Sequence, residues 1–100
     1  MLSISDIKNK LAQICNGTKV KKIVLFGSYA KGTATLASDI DLYLVSNGTI
    51  TGFDFFDLKA KIEDEFKIEI DLISDLDIIP NSPIEKQINE HGMVVYERQR

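Results

Sequence analysis

The chain has 100 residues, of which 44% are hydrophobic and 27% charged, and its formal net charge is −3, so we expect residues 1–100 to form a single domain. The negative charge and the scattered basic residues disfavour direct binding of nucleic acid, and the single cysteine excludes a disulfide framework. Because no apolar run approaches about 20 residues and the first residues lack the pattern of a signal peptide, we expect a cytoplasmic protein without a membrane segment.

The first predicted elements are a helix and a buried strand. Apolar residues recur at the helical spacing, with Ser3 or Ser5 as the candidate N-cap and Gly17 after the end. The periodic residues are Ile4, Ile7, Leu11 and Ile14. The segment Lys22–Phe26 is then a short apolar run that stops at Gly27, which predicts a well-buried strand.

Two more strands are predicted where apolar and polar residues alternate, at 39–44 and 68–73. Between them, apolar residues at helical spacing over 55–66 predict a second helix. The phenylalanines of this region are all expected in the core; they are Phe53, Phe55, Phe56 and Phe66.

A third helix is predicted from Ser82, which reads as the start of a capping box, to Gly92, and residues 93–97 follow as a short edge strand. The predicted order is therefore α, β, β, α, β, α, β. The connection over residues 28–38 is too short for a full helical crossover, so the first two strands should be antiparallel. The fold class is α/β or α+β, with three or four strands in a mixed sheet covered by helices.

Acidic side chains lie on strands that otherwise read as buried. Asp39 and Asp41 are two residues apart, so both point to the same side of their strand. The same parity puts Asp71 on the polar face of the later strand, and pairing of the two strands would gather three carboxylates. Their mutual repulsion predicts a bound divalent cation, and an all-oxygen donor set favours Mg²⁺ or Mn²⁺ over zinc.

The turn after the first strand supplies a candidate phosphate site. Gly27 lets the backbone turn and approach a ligand closely, and a helical turn beginning at Ser28 would point free N–H groups and a hydroxyl at an anion. Phosphate at the turn and metal at the aspartates indicate a site for a nucleoside triphosphate. Walker A, EF-hand and GxGxxG patterns fail on spacing. The plain alternative is an ordinary turn and aspartates that face water on an edge strand.

The stretch GSYAKGTATLASDIDLYL at 27–44 resembles the signature of the DNA polymerase β-type nucleotidyltransferase superfamily, which has Gly-Ser, ten residues and Asp-x-Asp. The chain is most similar to the minimal, antitoxin-type members, and the likeness runs through most of its length. The resemblance implies a small mixed sheet of about four strands flanked by helices. It also implies that Asp39 and Asp41 bridge two Mg²⁺ ions, and that Asp71 is the third carboxylate, placed to accept a proton.

For the nucleotide, the resemblance implies that Gly27 and Ser28 hold phosphate. Ser38 stands where the family often has a serine that orients the first aspartate through a hydrogen bond. Lys31 stands where relatives often have arginine, and a lysine there keeps the positive charge but loses bidentate geometry.

The function implied by the resemblance is transfer of AMP from ATP to a hydroxyl. The short family members act beside a helical HEPN-domain toxin, which they are thought to neutralise by adding AMP to a tyrosine. We therefore expect ATP and a HEPN-domain toxin as partners, in a hetero-oligomer. Two alternatives stay open: a non-catalytic antitoxin that inhibits its partner by binding alone, and a small-molecule nucleotidyltransferase completed by another subunit.

Overall fold

A computed structural model of the protein describes residues 1–98, which form four helices and four strands. In chain order these are α1 (Ile4–Cys15), β1 (Lys22–Phe26), α2 (Gly27–Lys31), β2 (Ile40–Val45), α3 (Gly52–Phe66), β3 (Ile70–Ser74), α4 (Pro83–His91) and β4 (Met93–Glu97). Among these residues, no helix has both the length and the apolar character needed to span a bilayer.

The four strands form one mixed sheet in the order β3-β2-β1-β4. β1 pairs antiparallel with both β2 and β4, whereas β2 and β3 are parallel. The predicted antiparallel pair, the mixed sheet and the edge position of the last strand are thus confirmed. The short connection between β1 and β2 also contains α2, a five-residue helix that the predicted order of elements lacks. Five residues are too few to show a helical period in a sequence.

Local signals fix the first helix. The Ser3 Oγ accepts a hydrogen bond from the Asp6 N–H at 3.0 Å, and the Asp6 carboxylate accepts one from the Ser3 N–H at 3.1 Å, which closes a capping box. Ile7, Leu11 and Cys15 are fully buried along one face of α1. Burial raises the pKa of the Cys15 thiol to about 11, so this cysteine is an uncharged core residue at neutral pH.

The core lies where helices α1 and α3 cover the sheet. Along β2, the alternate residues Ile40, Leu42 and Leu44 are fully buried, while the residues between them are partly exposed. They form one cluster with the buried face of α1 and with Leu58 and Ile62 of α3. Because side chains alternate along a strand, this burial turns the side chain at 41 to the other face of the sheet, where the candidate site lies.

The fourth helix departs from prediction in one detail of its cap. The Ser82 Oγ accepts from the Glu85 N–H at 3.2 Å, as a capping residue should, and Pro83 occupies the first turn. The Glu85 carboxylate, however, accepts from the Asn81 N–H at 2.8 Å. The reciprocal half of the predicted capping box is therefore wrong, because the glutamate reaches one residue further back.

Two phenylalanines contradict the predicted aromatic core. Phe66 is buried and Phe55 half-buried, but Phe53 and Phe56 are 87% and 65% exposed. The 3.6-residue period of α3 turns its stripe centred on Leu58 toward the sheet, and this period places Phe53 and Phe56 on the opposite side of the helix. Both side chains are exposed because of the direction in which the helix points them, although both are hydrophobic.

Candidate active site

Three strand ends meet at one edge of the sheet. In the strand register, Phe26 at the end of β1 lies opposite Asp41, the second residue of β2. Asp41 in turn lies beside Asp71, the second residue of β3. Since β1 runs antiparallel to β2 and β3 runs parallel to it, the turn after β1 reaches the same place as the starts of β2 and β3. The two carboxylate-bearing strands therefore pair, which is the condition for gathering their carboxylates.

The carboxylates of the site differ in exposure. Asp41 is partly buried, whereas Asp39, just before β2, and Asp71 are exposed. Burial, followed by the negative charges of Asp71 and Asp39, raises the pKa of the Asp41 carboxyl to about 6. A carboxyl that loses its proton near neutral pH, against two like charges, is a group that a cation would stabilise.

This raised pKa predicts a stability effect with a definite sign. Above pH 6 the folded protein holds a charged Asp41 at a cost that the unfolded chain lacks, so stability falls as pH rises from about 4 to 6. We expect Asp41→Asn to be more stable than the native chain at pH 8 in the absence of metal. Because the group is half-exposed and screened by solvent, the expected gain in the free energy of unfolding is about 1 kcal/mol, or about 4 to 8 °C in Tm. At pH 4 the native protein and Asp41→Asn should have the same Tm. Thermal unfolding at both pH values, in chelator, is the measurement; a less stable variant at pH 8 would contradict it.

The donor set fits a hard divalent cation in its chemistry, because three carboxylates supply only oxygen ligands. Among residues 1–98, no three acidic, histidine or cysteine side chains close around a common point tightly enough to form a finished cage. What the fold supplies is the adjacency of Asp41 and Asp71 and the electrostatic coupling of both Asp71 and Asp39 to Asp41. The cation that these residues fit would bind to an open, carboxylate-lined edge.

Gly27 brings the turn directly against Asp41. Its φ is +72°, in the left-handed region that favours glycine, and a Cβ added there would overlap the Asp41 carboxylate. Gly27 also begins α2, so the first N–H groups of this short helix have no partner within the helix, and Ser28 beside them is partly exposed. The sequence predicts a close approach of Gly27 to a ligand. In the structure, the group that Gly27 approaches is the carboxylate of Asp41.

Two predicted nucleotide-binding residues, Lys31 and Ser38, are less directly associated with the carboxylates. Lys31 is exposed in the last turn of α2. Ser38 precedes Asp39, but its Oγ accepts from the Thr35 N–H at 2.8 Å, and no bond to the Asp39 carboxylate is found in the part of the chain that the structure describes. Ser38 thus fixes a turn in its own loop. The sequence signal for this turn is the pair of hydroxyl residues three positions apart, Thr35 and Ser38.

Two of the three candidate carboxylates, Asp39 and Asp71, are exposed to solvent. Two cavities of about 360 and 590 Å³ lie elsewhere, the first between Ile14 and Leu58 and the second beside Tyr96. Neither is lined by any of the predicted site residues.

Known proteins resemble this chain in sequence over most of its length. Residues 9–100 match the family described as Polymerase beta, Nucleotidyltransferase. Two proteins of Methanocaldococcus jannaschii, both provisionally named protein adenylyltransferase, are 36% identical to this chain. One match spans 78 residues, which is 74% of this chain and 91% of that relative, and the other spans 94 residues, which is 90% and 95%.

Solved structures of similar proteins share this fold. A crystal structure described as a toxin–antitoxin with AMP-PNP superposes with a TM-score of 0.73 at 26% identity, covering 92% of this chain and 74% of that one. A complex of the tri-AMPylated HEPN toxin of Shewanella oneidensis with its MNT antitoxin superposes with a TM-score of 0.68 over 95% of this chain and 73% of that one. At 21% identity, this second likeness shows the fold alone.

Proposed function

The chain belongs to the polymerase β-type nucleotidyltransferase family, and from this premise we propose that it transfers AMP from ATP to a hydroxyl of a partner protein. One observation carries the proposal: the register sets Asp41 beside Asp71 on one side and against Gly27 on the other. A carboxylate pair next to a glycine turn with free N–H groups offers cation ligands and anion donors side by side.

The carboxylates would hold the divalent cations. Asp39, Asp41 and Asp71 are the candidate ligands for two Mg²⁺ ions, with Mn²⁺ as a substitute. Bound there, such ions supply neutralisation of the charge on the α-phosphate and on the departing pyrophosphate. The raised pKa of Asp41, caused first by burial and then by the charges of Asp71 and Asp39, supports this assignment, because a nearby cation stabilises the charged carboxylate.

The turn would hold the phosphates. Gly27 leaves room for the chain to fold back on Asp41, and the N–H groups at the start of α2 with the Ser28 hydroxyl can donate to phosphate oxygens. Lys31 would add a positive charge from the last turn of α2. In this arrangement the triphosphate lies across α2 with its α-phosphate toward Asp41.

The transfer step replaces a phosphoanhydride bond of ATP with a phosphate ester bond to the acceptor. The acceptor oxygen forms a bond to the α-phosphorus, and the bond from that phosphorus to the bridging oxygen breaks, so that pyrophosphate leaves. The proton of the acceptor hydroxyl passes to the carboxylate of Asp71, which is exposed at the start of an edge strand and therefore accessible to an incoming protein.

We propose a HEPN-domain toxin as the acceptor and a tyrosine as the modified residue. Two findings support a protein acceptor, the name of the relatives and the toxin–antitoxin structure with AMP-PNP. The HEPN toxin and the tyrosine are what the family resemblance implies. The exposure of Asp39 and Asp71 also supports a protein acceptor, because such an acceptor needs access to the carboxylates. Inhibition by binding alone and transfer to a small molecule are the competing functions.

The test is the intact mass of the protein encoded beside this chain, after incubation with this protein, ATP and Mg²⁺. We expect added AMP units, located on tyrosine by fragmentation, and none when chelator replaces Mg²⁺ or when Asp39 and Asp41 are both alanine. A tight complex without any mass change would favour inhibition by binding. An unmodified, unbound partner would leave the small-molecule function.

A further inference from the structure

Asp39, one of the candidate cation ligands, is held in place through its neighbours in the chain. Within residues 1–98, no hydrogen bond to its backbone or its carboxylate is found, and its side chain is exposed. The residue after it is fixed, because the Ile40 N–H donates to the Glu69 carbonyl at 3.1 Å where β2 begins beside β3. The position of Asp39 therefore depends on what fixes the residue before it.

The residue before it, Ser38, is fixed by Thr35. The Ser38 N–H donates to the Thr35 carbonyl at 3.0 Å, and the Thr35 N–H donates to the Ser38 Oγ at 2.8 Å. The two hydroxyl oxygens lie 3.4 Å apart, and the Thr35 Oγ1 also accepts from the Ala37 N–H at 3.3 Å. Thr35 thus closes the turn over residues 35–38 with its N–H, its carbonyl and its hydroxyl.

Burial does not hold this turn. The start of the loop is anchored, because the Thr33 N–H donates to the Ser28 carbonyl at 3.0 Å and Ala34 packs against the core. The next side chains, at positions 35 to 37, are all exposed. Since no packing restrains this stretch, the hydrogen bonds made by Thr35 are what restrict its backbone.

We propose that Thr35 is a positioning residue that holds Asp39 at the candidate cation site, an inference that rests on the proposed function. In this role Thr35 acts through Ser38, whose peptide bond to Asp39 carries the restraint forward. With Ile40 fixed on the other side, the closed turn leaves the Asp39 carboxylate few positions. A ligand that is already in place binds a cation without a further cost of ordering.

The test compares Thr35→Val, which loses the hydroxyl but keeps the branched shape, with Thr35→Ser, which keeps the hydroxyl. The first readout is the order parameter of the Asp39 backbone amide, from NMR relaxation of the metal-free protein. We expect Thr35→Val to lower it from a rigid value of about 0.85 toward a flexible value of about 0.6. Thr35→Ser should keep the native value. Thr33→Val is the matched control, because it changes another exposed threonine of the same loop and should alter nothing.

The second readout is the affinity of the same proteins for Mn²⁺ without ATP, measured by calorimetric titration. We expect Thr35→Val to bind Mn²⁺ about fivefold more weakly than the native protein and Thr35→Ser to bind it equally well. Adding Thr35→Val to Asp39→Ala should weaken binding no further, because Thr35 acts through that carboxylate. The Tm of Thr35→Val should stay native, since the turn contributes nothing to the core cluster.

A native order parameter at Asp39 in Thr35→Val would overturn the inference. Native Mn²⁺ affinity with a mobile Asp39 would also overturn it, because the turn would then be structural only, and so would equal losses in Thr33→Val. Neither readout needs AMP transfer or a partner. If the native protein binds no Mn²⁺, the cation site of the proposed function fails, and the Asp39 amide alone decides whether Thr35 positions that residue.

Discussion

Replacing Asp39 or Asp41 with alanine is expected to slow AMP transfer by roughly a thousandfold or more and to leave the fold intact. Either change removes a candidate ligand from the site where charge on the α-phosphate must be balanced. Neither residue belongs to the core cluster, and Asp41 carries a charge that the fold holds at a cost, so neither loss should unfold the chain.

The measurements are transfer rate, far-ultraviolet circular dichroism and thermal unfolding, all on the same preparations. Asp77→Ala is the matched control, because Asp77 is an exposed aspartate in the turn after β3, away from the meeting strand ends. It should transfer at the native rate. Loss of the native dichroism in Asp39→Ala or Asp41→Ala would mean that these carboxylates are structural, and native transfer rates would remove them from the mechanism.

The sequence predicts this site well where the chemistry is local. Strand alternation around Asp39 and Asp41 depends only on the two-residue period and on the burial of the residues between them, and the structure bears out that burial for Ile40 and Leu42. The short connection likewise predicts the antiparallel pairing of β1 and β2, because too few residues are available for a crossover.

The other features of the site depend on contacts that no local sequence pattern encodes. That Asp71 lies beside Asp41 requires β3 to pair with β2 in one particular register, which is set by packing of the whole core. The partner of the Ser38 hydroxyl depends on how its loop closes. Phe53 and Phe56 are a different case, since the helical period of α3 already places them outside the buried stripe although both are hydrophobic.

Gly27→Ala is expected to impair stability and activity together, for two separable reasons. A residue with a Cβ at the φ of +72° costs about 1 to 2 kcal/mol. The added Cβ also overlaps the Asp41 carboxylate, which must turn away, at a further cost of about 1 kcal/mol. Since a displacement of about 1 Å in a catalytic group costs about a hundredfold in rate, we expect transfer to fall by at least that factor. Chemical denaturation and transfer assays measure the two effects.

The two causes can be separated within the chain itself. Gly17 has a φ of +76° and no atom within 4 Å of an added Cβ, so Gly17→Ala measures the backbone cost alone. The excess cost of Gly27→Ala over Gly17→Ala should shrink when Gly27→Ala is made in an Asp41→Ala background, because the overlapping carboxylate is then gone and only the Asp41 Cβ, 3.3 Å away, remains. Strict additivity in that double-mutant cycle would show that Gly27 and Asp41 act independently. A smaller cost of Gly27→Ala in the Asp41→Ala background would mean that Gly27, in the predicted phosphate turn, also leaves room for the Asp41 side chain. One residue would then align both halves of the site.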